Sequence, residues 1–191
     1  MKTQDMYKIK KQLSKTLDHK RYEHTLGVAY TAAAMAMCYG EDIKKAELAG
    51  LLHDCAKCMD NEKRLHICEK HNIEISDAEL RNPFLLHAKV GAYLAEKKYH
   101  VEDADVLNAI LYHTTGRPCM SLLEKIIYIA DYIEPARDQA PNLEIIRKLA
   151  FQNLDNALIK ILEDTLIHLK ESEKEIDPMT QKTYDYYKME Y

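Results

Sequence analysis

At positions 51–57 the chain reads Leu51-Leu52-His53-Asp54-Cys55-Ala56-Lys57, where an apolar run meets two side chains that can bind a metal. A neutral imidazole beside a carboxylate suits a borderline divalent metal such as iron, manganese, cobalt or zinc. Neighbouring residues of a helix point about 100° apart, so His53 and Asp54 can reach one metal only from the rim of a cavity. Lys57 follows on the same helix face, where its ammonium can meet a phosphate. Taken alone, the His-Asp pair also fits a helix end with two solvated polar residues.

Further residues of the same kind stand at the edges of apolar helical patterns elsewhere in the chain. They are His24, His87, His113 and Asp131. A single histidine on an apolar helix face is usually a hydrogen-bonded core residue. Several in one short chain, each beside an apolar run, favour a shared cluster. The sequence therefore predicts that these residues join His53 and Asp54 in one metal-binding site.

Six candidate ligands exceed the needs of one ordinary zinc site and fit two neighbouring metals. Two metals about 3.5–4 Å apart can share a carboxylate and a hydroxide that attacks phosphorus in line. Nearby cations then stabilise the charge that develops on the phosphoryl oxygens. The sequence contains no P-loop, no Rossmann glycine fingerprint and no nucleophile elbow around a serine. Hydrolysis by a metal-activated hydroxide is the chemistry that these residues support best.

Composition indicates a soluble protein of the cytoplasm. A chain of 191 residues is long enough for one domain with a substantial core. The net charge is −4 and no basic block occurs, so binding to bulk nucleic acid is not expected. No apolar run is long enough to cross a bilayer, and the first residues lack the apolar region of a signal peptide. Five cysteines without disulfide-like spacing suit a reducing compartment, and we interpret Cys55 and Cys58 as packing residues.

Helical periodicity recurs along the whole chain, and no segment shows the alternation of a β-strand. Gly40 is placed to end a helix, and Asp42 to begin the next one. Ser76-x-x-Glu79 and Ser121-x-x-Glu124 are capping boxes. We predict an all-α fold, a single helical bundle of about eight helices around a metal cluster. The predicted domain spans 1–191, with a metal core at about 18–135 and a C-terminal helical extension at 142–191.

Longer strings around the candidate ligands are also distinctive. They are Arg21-Tyr22-Glu23-His24-Thr25-Leu26-Gly27-Val28, His53-Asp54-x-Ala56-Lys57, His87-Ala88-x-Val90-Gly91-Ala92, Tyr112-His113-Thr114-Thr115-Gly116-Arg117-Pro118, Leu123-Glu124-Lys125 and Ala130-Asp131-Tyr132-Ile133-Glu134-Pro135-x-Arg137. In its ligand order the chain resembles the HD-domain metal-dependent phosphohydrolase superfamily. In these strings it resembles one branch, the bacterial symmetrical diadenosine tetraphosphate hydrolases of HD type. The resemblance runs over essentially the whole chain, including the closing Pro178-x-Thr180.

The resemblance implies how the ligands divide between two divalent metals. One metal would be held by His24, His53 and Asp131, Asp54 would bridge, and His87 and His113 would complete the second site. Iron is the first expectation for the metal, with manganese, cobalt and zinc as alternatives. The catalytic residues implied are Asp54 and Lys57, and Lys57 would contact the scissile phosphate region. Polyphosphate and nucleotide contacts are expected from Arg21, Thr114, Thr115 and Arg137, each of which also fits a cap or surface position.

The activity implied is symmetrical hydrolysis of diadenosine tetraphosphate to two ADP. The expected partner is therefore a dinucleoside polyphosphate, with neither bulk nucleic acid nor a membrane, and a homodimer is compatible with the sequence. One alternative is another HD phosphohydrolase that acts on a nucleotide or a cyclic dinucleotide. A second is a regulatory or ribosome-associated binding protein that keeps its metals only structurally. Lys57 and the threonine–glycine turn after His113 favour catalysis, because a structural metal site needs neither.

Overall fold

Helices make up the whole regular structure of the part of the chain that the structure describes. This computed structural model describes residues 3–172 and 176–190, within which there are eleven α-helices, one 3-10 helix and no β-strand. The helices are α1 (Thr3–Thr16), α2 (His19–Tyr39), α3 (Ile43–Leu52), α4 (Asn61–Lys70), α5 (Asp77–Arg81), α6 (His87–Lys97), α7 (Ala104–Leu111), α8 (Leu122–Ile133), α9 (Leu143–Leu149), α10 (Leu154–Glu171) and α11 (Pro178–Glu190), with the 3-10 helix Pro83–Leu86 before α6. The all-α prediction is confirmed. The sequence predicted about eight helices, fewer than the eleven α-helices within the described residues.

Helices α2 and α3 pack so closely that their backbones touch. Ala29, Ala32 and Ala36 of α2 are fully buried. Gly50 of α3 faces them, and a β-carbon at that position would lie 2.7 Å from the Ala29 Cα. Only glycine allows such an approach between two helices. The close pair brings His24, on α2, next to the C-terminal end of α3.

Helix caps form where the sequence predicts them. Asp42 accepts hydrogen bonds from two backbone amides in the first turn of α3. Gly40 ends α2 in the left-handed conformation, with φ of 77°. Ser76 and Ser121 each form a complete capping box with the glutamate three residues later. These caps satisfy amides and carbonyls that the helix ends leave unpaired, so the end of α2 and the starts of α3, α5 and α8 are set locally.

The C-terminal helices pack back onto the rest of the protein. Helix α10 packs against α8, and α11 packs against α10. Tyr187 of α11 is buried, and its hydroxyl accepts a hydrogen bond from the Met120 N–H at 2.8 Å. Lys125 of α8 binds Asp155 of α10, with 2.6 Å between Nζ and Oδ1. The tyrosine-rich C-terminal helix is therefore part of the packed body of the protein.

Two expectations concern the chain as a whole. The division of one domain into a metal core at about 18–135 and a helical extension at 142–191 stays a prediction. Among the described residues, no helix combines the length and the apolar character that crossing a bilayer requires.

Candidate metal centre

Five helices bring the six candidate ligands to one buried place. His24 lies within α2, Asp131 within α8, and His87 is the first residue of α6. His53 directly follows the last residue of α3, and His113 lies in the turn after α7. The four histidines and Asp54 are all buried, whereas Asp131 is partly exposed. The cluster therefore has a closed interior and an open side at Asp131.

The two oxygens of Asp54 face different halves of the cluster. Asp54 Oδ2 lies 3.4 Å from His53 Nε2 and 3.9 Å from His24 Nε2. Asp54 Oδ1 lies 3.4 Å from the Nε2 atoms of both His87 and His113. A carboxylate in this position can give one oxygen to each of two metals. Its geometry is that of a bridging ligand.

Asp131 completes the first half of the cluster. Its Oδ1 lies 3.0 Å from His24 Nε2 and 3.8 Å from His53 Nε2. Two groups of donor atoms are close enough together to share an ion. One is His24, His53 and Asp131, and the other is His53, Asp54 and His113. The first half thus contains the three ligands that the resemblance implies for one metal, while ligation itself stays a prediction.

Each histidine ring is fixed through its Nδ1 atom, which leaves Nε2 to face the cluster. The Nδ1 atoms of His53, His87 and His113 each lie 2.7 Å from a backbone carbonyl three residues earlier. A carbonyl only accepts hydrogen bonds, so Nδ1 carries the proton and the Nε2 of the neutral ring has a free lone pair. This is how proteins commonly orient histidines that bind metals.

Unpaired buried atoms test whether the residues fit a metal. Within the described part of the chain, four buried side-chain atoms have no hydrogen-bond partner, and three of them belong to the cluster. These three are His24 Nε2, His53 Nε2 and Asp54 Oδ1. Leaving a buried polar atom unpaired costs about 1–3 kcal/mol. All three atoms are of kinds that bind metals, and all three belong to the cluster. The donor set therefore fits divalent ions.

The titration of these groups also suits metal binding. Burial alone would raise the pKa of Asp54, but His53, His113 and Lys57 hold it well below its usual range. Burial, aided by the Lys57 ammonium, holds the pKa of His87 well below its ordinary value. A carboxylate that stays ionised and an imidazole that stays neutral are the forms that bind metals.

Lys57 points into the cluster, although not for the reason that the sequence suggested. Helix α3 ends at Leu52, and residues 53–59 form successive turns, with Lys57 N donating to Asp54 O at 2.9 Å. The expectation of a shared helix face was therefore wrong, because the helix stops before both residues. The turns still carry Lys57 Nζ to 2.9 Å from His87 Nε2 and 3.6 Å from Asp54 Oδ1. Burial lowers the pKa of Lys57, while the neighbouring Asp54 opposes that shift.

Two arginines predicted to contact substrate lie at the rim of the cluster. Arg21 Nη1 is 2.8 Å from Asp54 Oδ2, and Arg137 Nη2 is 2.8 Å from Asp131 Oδ1. Their side chains are 29% and 40% exposed. Both guanidinium groups therefore lie on the solvent side of the two carboxylates.

Thr114 and Thr115 do not join the cluster itself. They line a neighbouring cavity of about 340 Å³, together with Ala88, which follows His87 in the chain. Thr180, from the closing Pro178-x-Thr180 string, lines the same cavity. Ligand cavities are typically about 300–1,000 Å³ in volume. The threonines are thus placed beside the metal centre, with one hydroxyl, that of Thr115, donating to the Gly116 carbonyl at 2.9 Å.

Sequence reasoning missed Glu134 as a functional residue. Its Oε1 lies 3.0 Å from His24 Nδ1, and its side chain is buried. The only signal in the sequence is its spacing, because Glu134 follows the candidate ligand Asp131 by three residues. A glutamate one residue past the end of α8 resembles an ordinary helix end, so the contact with α2 could not be predicted locally.

The Cys55-x-x-Cys58 pair is not a second site. Both thiols are free, and Cys55 is buried with its Sγ donating to the Gly91 carbonyl at 3.6 Å. Burial raises the pKa of Cys55 to about 12, which keeps it a protonated, unreactive thiol. Cys58 is exposed and donates to Asp18 Oδ2 at 3.3 Å. The interpretation of Cys55 as a packing residue is confirmed, whereas Cys58 lies at the surface.

The helical bundle and its cluster of histidines and aspartates are those of the HD-domain family of divalent-metal proteins, and the chain belongs to this family. The family model described as HD domain matches residues 21–136, a span that contains all six candidate ligands. The HD domain implies binding of a divalent metal, and the His and Asp groups described above can provide it.

The more specific similarity is to relatives named bis(5'-nucleosyl)-tetraphosphatase, symmetrical. The relative from Bacillus subtilis is 43% identical, with 93% of this chain and 92% of the relative covered. The relative from Halalkalibacterium halodurans is 48% identical, with 88% and 89% covered. A crystal structure from Clostridium acetobutylicum, described as a predicted HD superfamily hydrolase involved in NAD metabolism, matches with a TM-score of 0.94. It is 44% identical and covers 97% of this chain and 98% of its own.

Proposed function

We propose that this protein hydrolyses diadenosine tetraphosphate at its middle phosphoanhydride bond and releases two ADP. The observation that carries the proposal is the position of Asp54, with one oxygen toward each half of a buried histidine cluster. The two relatives described above are named for symmetrical cleavage of bis(5'-nucleosyl) tetraphosphates, and they match this chain over most of its length.

The proposal assigns two divalent ions to the cluster. His24, His53 and Asp131 would hold the first, His87 and His113 would hold the second, and Asp54 would contribute to both. Bound there, the ions would activate a water for attack on phosphorus and offset the negative charge of the phosphoryl oxygens. Iron is the first candidate, and the same mixed nitrogen and oxygen donors also accept manganese, cobalt or zinc.

Lys57 has the role of holding the reacting phosphate. Its ammonium cannot bind a metal because it has no lone pair, but it can donate to phosphoryl oxygens. Its position 2.9 Å from His87 Nε2 supports this role, since a phosphate at the second ion would lie within its reach. The stabilisation that this ammonium provides increases as negative charge builds on the phosphoryl oxygens in the transition state.

The remaining predicted residues bind the rest of the substrate. Arg21 and Arg137, at the rim, donate to the flanking phosphates, because guanidinium groups pair well with phosphate oxygens. Thr114 and Thr115 contact the nucleoside end through the cavity of about 340 Å³ that they line. These contacts orient the chain of phosphates so that the middle bond lies at the ions.

Product analysis tests the proposal. Protein loaded with Fe²⁺ or Mn²⁺ is incubated with diadenosine tetraphosphate, and the nucleotides are separated by ion-exchange chromatography. ADP as the single product supports symmetrical cleavage. AMP together with ATP would mean cleavage at another bond. Turnover of mononucleotides or cyclic dinucleotides alone would indicate another phosphohydrolase, and no turnover with any of them would indicate a metal-containing binding protein.

Location and assembly are part of the same proposal. A cytoplasmic protein is supported by the five free cysteines, since such thiols persist in a reducing compartment. The expected partner is the dinucleoside polyphosphate, without bulk nucleic acid. A homodimer stays a prediction, and light scattering coupled to size-exclusion chromatography measures it.

A further inference from the structure

The four cluster histidines are held by two different kinds of partner. His53, His87 and His113 donate from Nδ1 to neutral backbone carbonyls. His24 Nδ1 instead meets the Glu134 carboxylate, at 3.0 Å from Oε1. A carboxylate partner makes an imidazole a more basic metal ligand than a carbonyl partner does. The structure thus distinguishes one histidine of the cluster from the other three.

Glu134 is fixed in this position from several sides. It is only 2% exposed, and its Oε2 accepts a hydrogen bond from the Ala136 N–H at 2.7 Å. Gly27, one turn after His24 on α2, makes room for it. A β-carbon at position 27 would lie 2.5 Å from Glu134 Oε2 and would push the carboxylate aside. The carboxylate and the glycine opposite it together form a site built for the His24 ring.

The half of the cluster that contains His87 and His113 has a positive charge beside it, whereas Glu134 places a negative charge beside His24. Lys57 Nζ lies 2.9 Å from His87 Nε2, and its side chain is 17% exposed. A cation this close opposes the binding of a second cation there. Arg21 and Arg137 pair with Asp54 and Asp131, but they are 29% and 40% exposed, so solvent screens them more than it screens Glu134. The two halves therefore differ in electrostatic environment.

We propose that Glu134 is a positioning residue that makes the His24–His53–Asp131 position the tighter of the two metal positions, so that the ions bind in sequence. The inference rests on the two-metal assignment of the proposed function. Glu134 acts through His24 by fixing its ring and raising the donor strength of Nε2. The position beside Lys57 fills second and exchanges more readily.

Calorimetric titration of Mn²⁺ into metal-free protein tests this inference without any measurement of activity. The wild-type protein should show two binding steps of different affinity. Glu134→Gln keeps a hydrogen-bond acceptor but removes the charge, and it should weaken the tight step about 10–100-fold, as loss of such partners does elsewhere. Gly27→Ala should weaken the same step, since it displaces the carboxylate without changing any polar group. His113→Ala should remove the weak step and leave the tight one.

Glu124→Gln is the matched control. Glu124, within α8, is likewise a buried glutamate, 1% exposed, but its carboxylate pairs with Arg117 instead of a cluster histidine. It should leave both steps unchanged, and circular dichroism confirms that each variant is folded before titration. Two wild-type steps with an unchanged tight step in Glu134→Gln would overturn the inference alone. Equal weakening of both steps would also overturn it, and a wild-type protein that binds one ion would overturn the two-metal assignment as well.

Discussion

At the scale of residues, Asp54 is the side chain that all four histidines of the cluster surround. It is 1% exposed, and the four neighbouring imidazoles all approach it through Nε2 at 3.4–3.9 Å. Burying a carboxylate is costly unless opposite charges and hydrogen bonds compensate for it. Here Arg21, 2.8 Å from Oδ2, and Lys57, 3.6 Å from Oδ1, supply positive charge. Under the proposed roles, this one residue would link the binding of metal to the binding of phosphate.

Removing the charge of Lys57 should lower activity without loss of metal. We expect Lys57→Ala to lose about 10²–10³ in kcat/KM on diadenosine tetraphosphate, or about 2.7–4 kcal/mol, as for other electrostatic stabilisers. Lys57→Arg should recover only part of this, because a planar fork replaces a compact charge. Lys148→Ala, at a lysine whose side chain is 70% exposed on α9, is the control and should match wild type. Full activity in Lys57→Ala would mean that the ammonium does not contact the reacting phosphate.

Histidines inside and outside the cluster should respond differently to substitution. His53→Ala should abolish turnover and lower the thermal stability of the metal-loaded protein. Bound ligand stabilises the native state by about 2.7 kcal/mol at a hundredfold excess over Kd, and this variant loses much of that gain. His66→Ala and His168→Ala, at exposed positions of α4 and α10, should keep both properties. If His66→Ala were as damaging as His53→Ala in activity assays and melting curves, the ligand assignment would fail.

At the scale of elements, the cluster depends on where helices stop. His53 and His113 lie just beyond the ends of α3 and α7, and His87 begins α6. In each case Nδ1 donates to a carbonyl three residues earlier, a group that helix termini leave free or share with a turn. A helix end therefore fixes the ring and turns Nε2 inward at the same time. The close contact of α2 with α3 then adds His24.

Adding one carbon atom at the contact between α2 and α3 should lower the stability of the protein. Gly50→Ala places a β-carbon 2.7 Å from the Ala29 Cα, and we expect a loss of about 1–3 kcal/mol in the free energy of unfolding. Gly91→Ala, in helix α6, is the control, because its nearest neighbour is the His53 carbonyl oxygen at 3.5 Å. It should be neutral or gain up to about 1 kcal/mol from helix propensity. Urea denaturation of metal-free protein measures both, and equal stabilities would contradict the backbone contact.

The sequence predicts local features of these elements well and long-range ones poorly. Capping boxes at Ser76 and Ser121 depend on residues three apart, and both form as predicted. The all-α class follows from periodicity in the same way. The turn that carries Lys57 and the contact between His24 and Glu134, 110 residues apart, depend on how helices pack. Such packing has no local signal, which is why the cluster could be predicted but the partner of His24 could not.

At the scale of the whole molecule, distant parts of the chain meet at one centre. The ligands come from α2, α8 and the ends of three other helices, while the C-terminal α10 and α11 contribute Thr165 and Thr180 to the cavity beside it. Three buried atoms of the cluster have no hydrogen-bond partner among the described residues, His24 Nε2 and His53 Nε2 in one half and Asp54 Oδ1 toward the other. The two divalent ions of the proposed function would pair with these atoms, and the surrounding helices hold the donor side chains in place.

The position of the metals tests this arrangement most directly. Crystals of protein loaded with iron or manganese should give two anomalous-scattering peaks per chain at the absorption edge of the metal, about 3.5–4 Å apart. One peak should lie among His24, His53 and Asp131, the other beside His87 and His113, with Asp54 between them. A single peak at full loading, or two peaks that Asp54 does not touch, would contradict the two-metal centre.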